Sequence, residues 1–271
     1  MGKHLHFISG LPRSGSTLLS AILSQNPRFH AGMSGPLGGA FNTLLGELSG
    51  RNEYAVFIND EQRRRMLKGL FDNYYGPEYG AEVVFDTNRS WCTKMRHLKE
   101  LFPNGKVIAC VRHVSWIIDS IEQLIRTNAF QPSAIFSYQP GGTVYSRAEG
   151  LANGEGMVGH AYNALKEAFY GDRTDNLMLL RYETLTSDPA RAIAAVYDFI
   201  GEPAYGHDFD NISYQADEFD LRAGTPGLHT VRKKVAVRER TSVLPPDVFR
   251  RFESDVFWLD PALNPRGVRV V

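Results

Sequence analysis

Apolar positions along the chain alternate between two rhythms, one of period two or continuous, the other helical. Leu5 to Ser9 reads as a short strand that stops at Gly10, and Ser16 to Gln25 as a helix. Leu18, Leu19, Ile22 and Leu23 form the stripe of that helix, and Asn26-Pro27 ends it. Gly32 to Gly50 is glycine-rich, and its apolar patch of Phe41, Leu44, Leu45 and Leu48 fits a short helix. Asp60 to Tyr74 has a helical pattern, with Arg63-Arg64-Arg65 on a solvated face. Glu82 to Asp86 is a second strand ending on a carboxylate, followed by a helix over Trp91 to Phe102 and a turn at Pro103-Asn104-Gly105. Lys106 to Val111 is continuously apolar, as in a strand buried on both faces of a parallel sheet. A helix over Val114 to Arg126, a further strand over Asn176 to Arg181, and a helix from Asp188-Pro189 to Gly201 complete the alternation.

Strands that alternate with helices predict an α/β fold: a doubly wound, mostly parallel sheet flanked by helices on both faces. No repeat or linker interrupts it, so residues 1–271 are expected to form one domain. The stretches 32–50, 128–155 and 202–229 stand out as lid or acceptor-binding loops, because long segments without periodicity usually line sites.

Composition narrows the picture. The chain has 271 residues, 43% hydrophobic and 22% charged, ordinary for a globular enzyme. Thirty Lys+Arg against thirty Asp+Glu leave no global field for nucleic acid or an anionic membrane, so any anion site must be local. The two cysteines, Cys92 and Cys110, lie in apolar segments with no C-x-x-C spacing and read as buried thiols, not as a metal site. The N-terminal run from Met1 to Ile8 is too short and polar for a signal peptide, and no apolar run reaches the roughly 18 residues of a membrane span. A cytoplasmic, reducing location is expected.

The first strand runs into Gly10-Leu11-Pro12-Arg13-Ser14-Gly15-Ser16-Thr17, which opens a helix. Strand, glycine loop and helix N-terminus together present free N–H groups and a dipole to a phosphate. The loop has the G-x-x-x-x-G frame and terminal Thr of a Walker loop, but Ser16 stands where the Walker lysine belongs. Its positive charge is Arg13 instead. Further on, the apolar strand Lys106 to Val111 ends on Arg112, and Ser120 follows eight residues later. Arginine offers a planar fork to phosphate oxygens, and the serine adds a hydroxyl.

The loop from Phe7 to Leu19 resembles the 5′-phosphosulfate loop of sulfotransferases that use 3′-phosphoadenosine 5′-phosphosulfate (PAPS). It is most similar to the branch of tyrosylprotein and bacterial small-molecule sulfotransferases, which carry Arg where the cytosolic enzymes carry Lys. The resemblance implies that Arg13, Ser14, Gly15, Ser16 and Thr17 hold the 5′-phosphosulfate and that Arg112 and Ser120 grip the 3′-phosphate. Leu180-Arg181-Tyr182-Glu183 resembles the family's strand end, with Tyr182 beside the adenine. Gly227 to Lys234 falls where the family places a basic loop over the 3′-phosphate; it lacks the R-K-G-x-x-G pattern, so the choice among Arg232, Lys233 and Lys234 is open. The implied reaction moves the sulfuryl group to a hydroxyl of a small-molecule acceptor and releases 3′-phosphoadenosine 5′-phosphate (PAP), with no metal.

In such a transfer, charge builds on the oxygen of the departing phosphate, where Arg13 and the loop N–H groups are placed to meet it. The base that takes the acceptor's proton does not follow from the resemblance. The cytosolic Lys-x-His is replaced here by Asp86-Thr87-Asn88, and the tyrosylprotein glutamate has no counterpart in Ala31-Gly32-Met33-Ser34. Asp86, at a strand end, is the first candidate and His30 the second; the competing reading makes Asp86 a carboxylate that structures the turn or pairs with Arg89. His4, His6 and His97 read as structural, and His113 as a neighbour of Arg112. Two rivals remain: a P-loop small-molecule kinase with Asp86 as a metal ligand, and a nucleotide-binding module without catalysis.

Overall fold

The computed structural model describes residues 3–131, 133 and 142–271. Its framework is a six-stranded sheet of order β2-β3-β1-β4-β5-β6, in which every neighbouring pair is parallel. The strands are β1 (His4–Gly10), β2 (Phe29–Ala31), β3 (Val83–Thr87), β4 (Val107–Val111), β5 (Leu177–Arg181) and β6 (Arg269–Val270). The doubly wound sheet expected from the alternation is therefore present. The three-residue β2 is too short to leave an apolar rhythm in the sequence.

Alternation of side chains sorts the strands onto two cores. Leu5 and Phe7 of β1 and Val107, Ala109 and Val111 of β4 join one cluster; Ile8, Ile108 and Cys110 join the other. Helices α2 (Leu37–Glu47), α3 (Asp60–Tyr74), α4 (Met95–Leu101), α5 (Val114–Thr127), α6 (Val144–Ala152) and α7 (Met157–Tyr170) pack their apolar residues on the first face. Helices α1 (Ser16–Leu23) and α9 (Pro189–Ile200) cover the second. The run Lys106 to Val111 is apolar throughout because β4 is buried along its whole length. Cys92 and Cys110 are buried free thiols, and burial raises them to about 11 and about 12.

Several elements depart from the sequence expectation. The helix expected from Trp91 begins instead as a 3-10 turn over Arg89–Lys94, before α4. Most of 32–50 is helical, and Phe41 of α2 is fully buried, so only the entry to that stretch is free to serve a site. In 128–155, α6 fills the end, while residue 132 and residues 134–141 lie outside the described residues. The stretch 202–229 holds one short helix, α10 (Asp217–Arg222). After β5 come α8 (Tyr182–Ser187) and α9, where Asp188 accepts a hydrogen bond from the Arg191 N–H and Pro189 opens the first turn. The short α11 (Pro246–Arg251) precedes the edge strand β6.

The chain leaves β1 toward β2 and β3 on one side, then crosses to β4 on the other. The carboxyl ends of β1 and β4 therefore flank a topological switch point, where α/β sheets open a crevice. Gly10 ends one strand there and Arg112 follows the other.

Candidate active site

At the end of β1 the backbone turns sharply against β4. Gly10 has φ 101°, and a Cβ there would sit 2.2 Å from the carbonyl oxygen of Cys110, so only glycine fits. The Leu11 N–H donates to that same carbonyl at 2.9 Å, and Ser14 Oγ donates to it at 2.9 Å as well as to the Leu11 carbonyl. Ser14 is thereby fully buried, and its hydroxyl closes the loop instead of facing the crevice. The Ser14 side chain is thus turned away from the crevice, and only its backbone could contribute to the expected nucleotide contact. Gly15 (φ 95°) caps α1 with no side-chain acceptor, and no acidic residue occupies the first turn. The first N–H groups of α1 are left for an outside acceptor.

Arg13 has φ 55°, the sole non-glycine residue with positive φ among those described. The left-handed backbone turns its guanidinium across the crevice. Nε donates to Ser120 Oγ at 3.2 Å, and Nη1 donates to the carbonyl of Leu228. Arg112 lies beside it: its Cζ is 4.3 Å from the centre of the Tyr182 ring, and Nη1 donates to the Arg13 carbonyl at 3.4 Å. Four residues singled out by the motifs, more than a hundred positions apart in places, are thus drawn together. Burial lowers the Arg13 pKa to about 10, and the charge of Arg112 adds to it. Burial likewise lowers Arg112, with Arg240 contributing. The crevice holds guanidinium groups that repel one another, a charge state that an anion between them would relieve.

The crevice is the floor of a cavity of about 880 Å³. Pro12, Arg13, Gly15, Ser16 and Thr17 line it from the loop, and Arg112, Ser120 and Tyr182 from the neighbouring elements. Met33, Ser34, Thr87, Asn88 and Arg89 form one wall, with His113, Trp116 and Met157 on another. Of the three stretches expected to serve as loops, 32–50 supplies Met33 and Ser34 and 202–229 supplies Phe219, Leu228 and His229; no described residue of 128–155 lines the cavity.

The segment after residue 230 crosses the cavity as a strap. It is fixed at one end by backbone bonds from Ile212 N–H to the Lys233 carbonyl (2.7 Å) and from Val235 N–H to the Phe209 carbonyl (2.8 Å). At the other end the buried Asp119 of α5 holds Arg240 at 2.5 Å and accepts from Ser242 Oγ and Val243 N–H, each at 2.7 Å. Arg240 also lies over Trp116, 5.0 Å from the ring centre. Arg232 and Lys234 line the cavity and Lys233 does not; Lys234 is paired with Asp210 at 2.8 Å on the exposed rim.

Asp86 is not in the cavity. It is completely buried, accepting from Tyr75 Oη at 2.7 Å on one oxygen and from Trp91 Nε1 at 2.8 Å on the other. Burial pushes its carboxyl up while these two donors pull it down. A buried carboxylate with both oxygens engaged and outside the lining reads as a structural anchor. This placement does not favour the expected role of Asp86 as general base, nor its use as a kinase metal ligand. Its pairing with Arg89 does not occur either. His30, the second candidate, sits on β2 against the rings of Tyr75 and Tyr79, outside the lining; burial, with Lys3 adding, lowers its pKa.

A histidine that no motif singled out does line the cavity: His229, held from behind by the buried Asp220. Asp220 of α10 accepts from His229 Nδ1 at 2.6 Å on one oxygen and from the His229 N–H at 2.8 Å on the other. Arg240 and Trp116 are likewise lining residues that motif reading passed over. Only the neighbourhood of the Gly227-Leu228 loop pointed toward His229.

The sheet order, the loop at its switch point and the convergent cations define a parallel α/β protein with a cationic cleft at the carboxyl ends of its strands. The chain belongs to the Sulfotransferase family, whose model matches residues 6–206. Among solved structures, it is similar to the sulfotransferase domain from the curacin biosynthetic pathway, at 18% identity and TM-score 0.52, with 94% of this chain and 98% of that one covered. It is similar to the sulfotransferase from Alicyclobacillus acidocaldarius at 14% identity and TM-score 0.50, covering 97% and 96%. Mouse sulfotransferase SULT7A1 complexed with PAP matches at 12% identity and TM-score 0.52, covering 94% and 83%. At these identities the likeness is one of fold. A search of curated protein sequences returns no match.

Proposed function

We propose that the protein moves the sulfuryl group of PAPS to a hydroxyl of a small-molecule acceptor and releases PAP. The observation that carries this reading is the convergence of Arg13, Arg112, Ser120 and Tyr182 around the loop at the switch point. These residues suit a nucleotide bearing two separate phosphate groups: one on the loop and helix N-terminus, the other on the Arg112–Ser120 side, with Tyr182 for the base. The complex of the mouse sulfotransferase with PAP supports the same ligand. The donor supplies an activated sulfuryl group; the chain's own part is to orient it and to meet the charge that grows on the leaving phosphate. Arg13 and the first N–H groups of α1 serve that charge without reorganisation. Arg232 or Lys234 completes the cover over the 3′-phosphate. The same reading has residues 1–271 act as a single cytoplasmic domain that needs neither a metal nor a nucleic-acid or membrane partner.

A kinase reading is disfavoured by the absent loop lysine and by the burial of Asp86. The test is PAP release from PAPS in excess EDTA, with pooled hydroxylated small molecules as acceptors. Acceptor-dependent PAP release is expected. No release from PAPS, together with phosphate transfer from ATP–Mg to the same pool, would overturn the proposal.

A further inference from the structure

With Asp86 and His30 outside the cavity, sulfuryl transfer still needs a group to take the proton of the acceptor hydroxyl. We infer that His229, oriented by Asp220, is that general base; the inference rests on the sulfuryl-transfer reading above. Three observations carry it.

First, the ring is fixed. Asp220 is almost wholly buried, at 2% side-chain exposure, and accepts both from Nδ1 and from the backbone N–H of His229. A carboxylate acceptor on Nδ1 selects the tautomer with the proton there and leaves Nε2 as the basic nitrogen. Nε2 has no hydrogen bond to protein among the described residues. Phe219 packs edge-on against the ring at 5.5 Å and limits its rotation.

Second, the ring is beside the donor site. His229 lines the cavity, and the carbonyl of the preceding residue, Leu228, is the acceptor for Arg13 Nη1. The guanidinium proposed to meet the leaving phosphate and the imidazole proposed to take the proton are thus linked through a single backbone group.

Third, the other lining carboxylates and imidazole are less suited: Glu239 is exposed on the strap, with no partner holding it toward the donor site among the described residues. Glu183 lies 3.9 Å from Arg181, and the His113 ring has no oriented carboxylate partner among the described residues. Asp220, which holds His229, also acts electrostatically on Arg13 in the loop and on Tyr214.

In the step so assigned, the acceptor oxygen forms a bond to sulfur as its proton passes to Nε2. The bond from sulfur to the bridging phosphate oxygen breaks, and its electron pair stays on the 5′-phosphate of PAP. Asp220 stabilises the imidazolium, which then returns the proton to solvent.

The test compares two probe acceptors in the full chain, with PAP release from PAPS as the readout. Octanol must lose a proton to react, whereas para-nitrophenol at alkaline pH is already ionised and needs no base. His229→Gln is expected to slow transfer to octanol by about a hundredfold or more and to leave transfer to para-nitrophenolate within a few-fold. Asp220→Asn should show the same selectivity more mildly. A ring that merely holds the loop would slow both acceptors alike, which would overturn the assignment, as would equal octanol rates in wild type and variant, whether fast or absent. Nitrogen NMR of the free protein supplies a readout independent of turnover: the Nδ1–H tautomer is expected, and the Nε2–H tautomer contradicts the role. Calorimetry with PAP separates the two readings, because His229→Gln should bind PAP as wild type does. Loss of PAP binding in the wild type itself would fell the donor-site reading instead.

Discussion

Arg13 sits where a glycine would be easier to hold. A left-handed backbone costs an L-residue roughly 1–2 kcal/mol, and the side chain adds the burden of a buried charge beside Arg112. Such strain at a crevice is consistent with a residue kept for its chemistry. Arg13→Ala and Arg13→Gly should both lower kcat about a hundredfold or more, as loss of a single electrostatic donor does elsewhere. Thermal or urea unfolding should find the glycine variant more stable than the alanine variant by about 1 kcal/mol, because glycine relieves the backbone. Unchanged kcat with raised KM would reduce Arg13 to a binding contact. Asp86 makes the opposite prediction. Asp86→Asn would set an amide N–H against a donor, leaving one of Tyr75 Oη and Trp91 Nε1 without an acceptor, at a cost of about 1–3 kcal/mol in urea unfolding. PAP binding and turnover should survive in the variant that folds. A loss of turnover with intact PAP binding would restore Asp86 to the reaction. The sequence placed Asp86 correctly at a strand end, but nothing local distinguishes a carboxylate in the crevice from one closed over by Tyr75 and Trp91. The same holds for Ser14, whose hydroxyl faces inward.

At the scale of elements, β1 and β4 do two jobs, carrying the loop and Arg112 at one end while burying His6 along their length. His6 is nearly unexposed; its Nδ1 accepts from the Lys106 N–H at 3.2 Å, and its Nε2 has no partner among the described residues. Burial first, then the charges of His4 and Lys106, lower its pKa from 6.5 to about 4. Between those values the unfolded chain binds a proton that the folded chain refuses, so stability falls as pH drops through that window. The loss approaches about 3 kcal/mol at the acid end, from a shift of this size at 1.36 kcal/mol per unit. Asp86, raised by burial, acts in the opposite sense, since its protonated form is favoured in the fold. Urea unfolding across this pH range should show a shallower decline in His6→Asn than in wild type; parallel curves would remove His6 as the cause. The elements most legible in the sequence are those with a strong rhythm: β1, β4, α3, α5 and α9 fall within a residue or two of expectation. The three-residue β2 and the 3-10 turn at Arg89–Lys94 are set by tertiary packing, and their local pattern carries too few residues to show it.

For the whole molecule, the decisive feature is the crossing from β3 to β4 that makes a crevice between β1 and β4. It brings a loop at residues 10–17, a strand end at 112 and a helix face at 120 to one place, and the strap beyond residue 230 closes over them. The loop and the Arg–Ser spacing were readable because they are contiguous or nearly so. The strap's anchor on Asp119 and the contact of His229 with Asp220 were not, since each depends on how the chain returns across the cavity. The central claim is that this crevice holds an adenosine nucleotide by both a 5′- and a 3′-phosphate. Its most direct test is calorimetric titration in excess EDTA with PAP and with adenosine 5′-phosphate, for wild type and Arg112→Ala. The wild type should bind PAP tighter by ten- to about a hundredfold, as a charge-assisted contact of about 1.5–3 kcal/mol requires, and Arg112→Ala should erase most of that difference. Equal affinity for the two nucleotides, or PAP binding that disappears on chelation, would contradict the account.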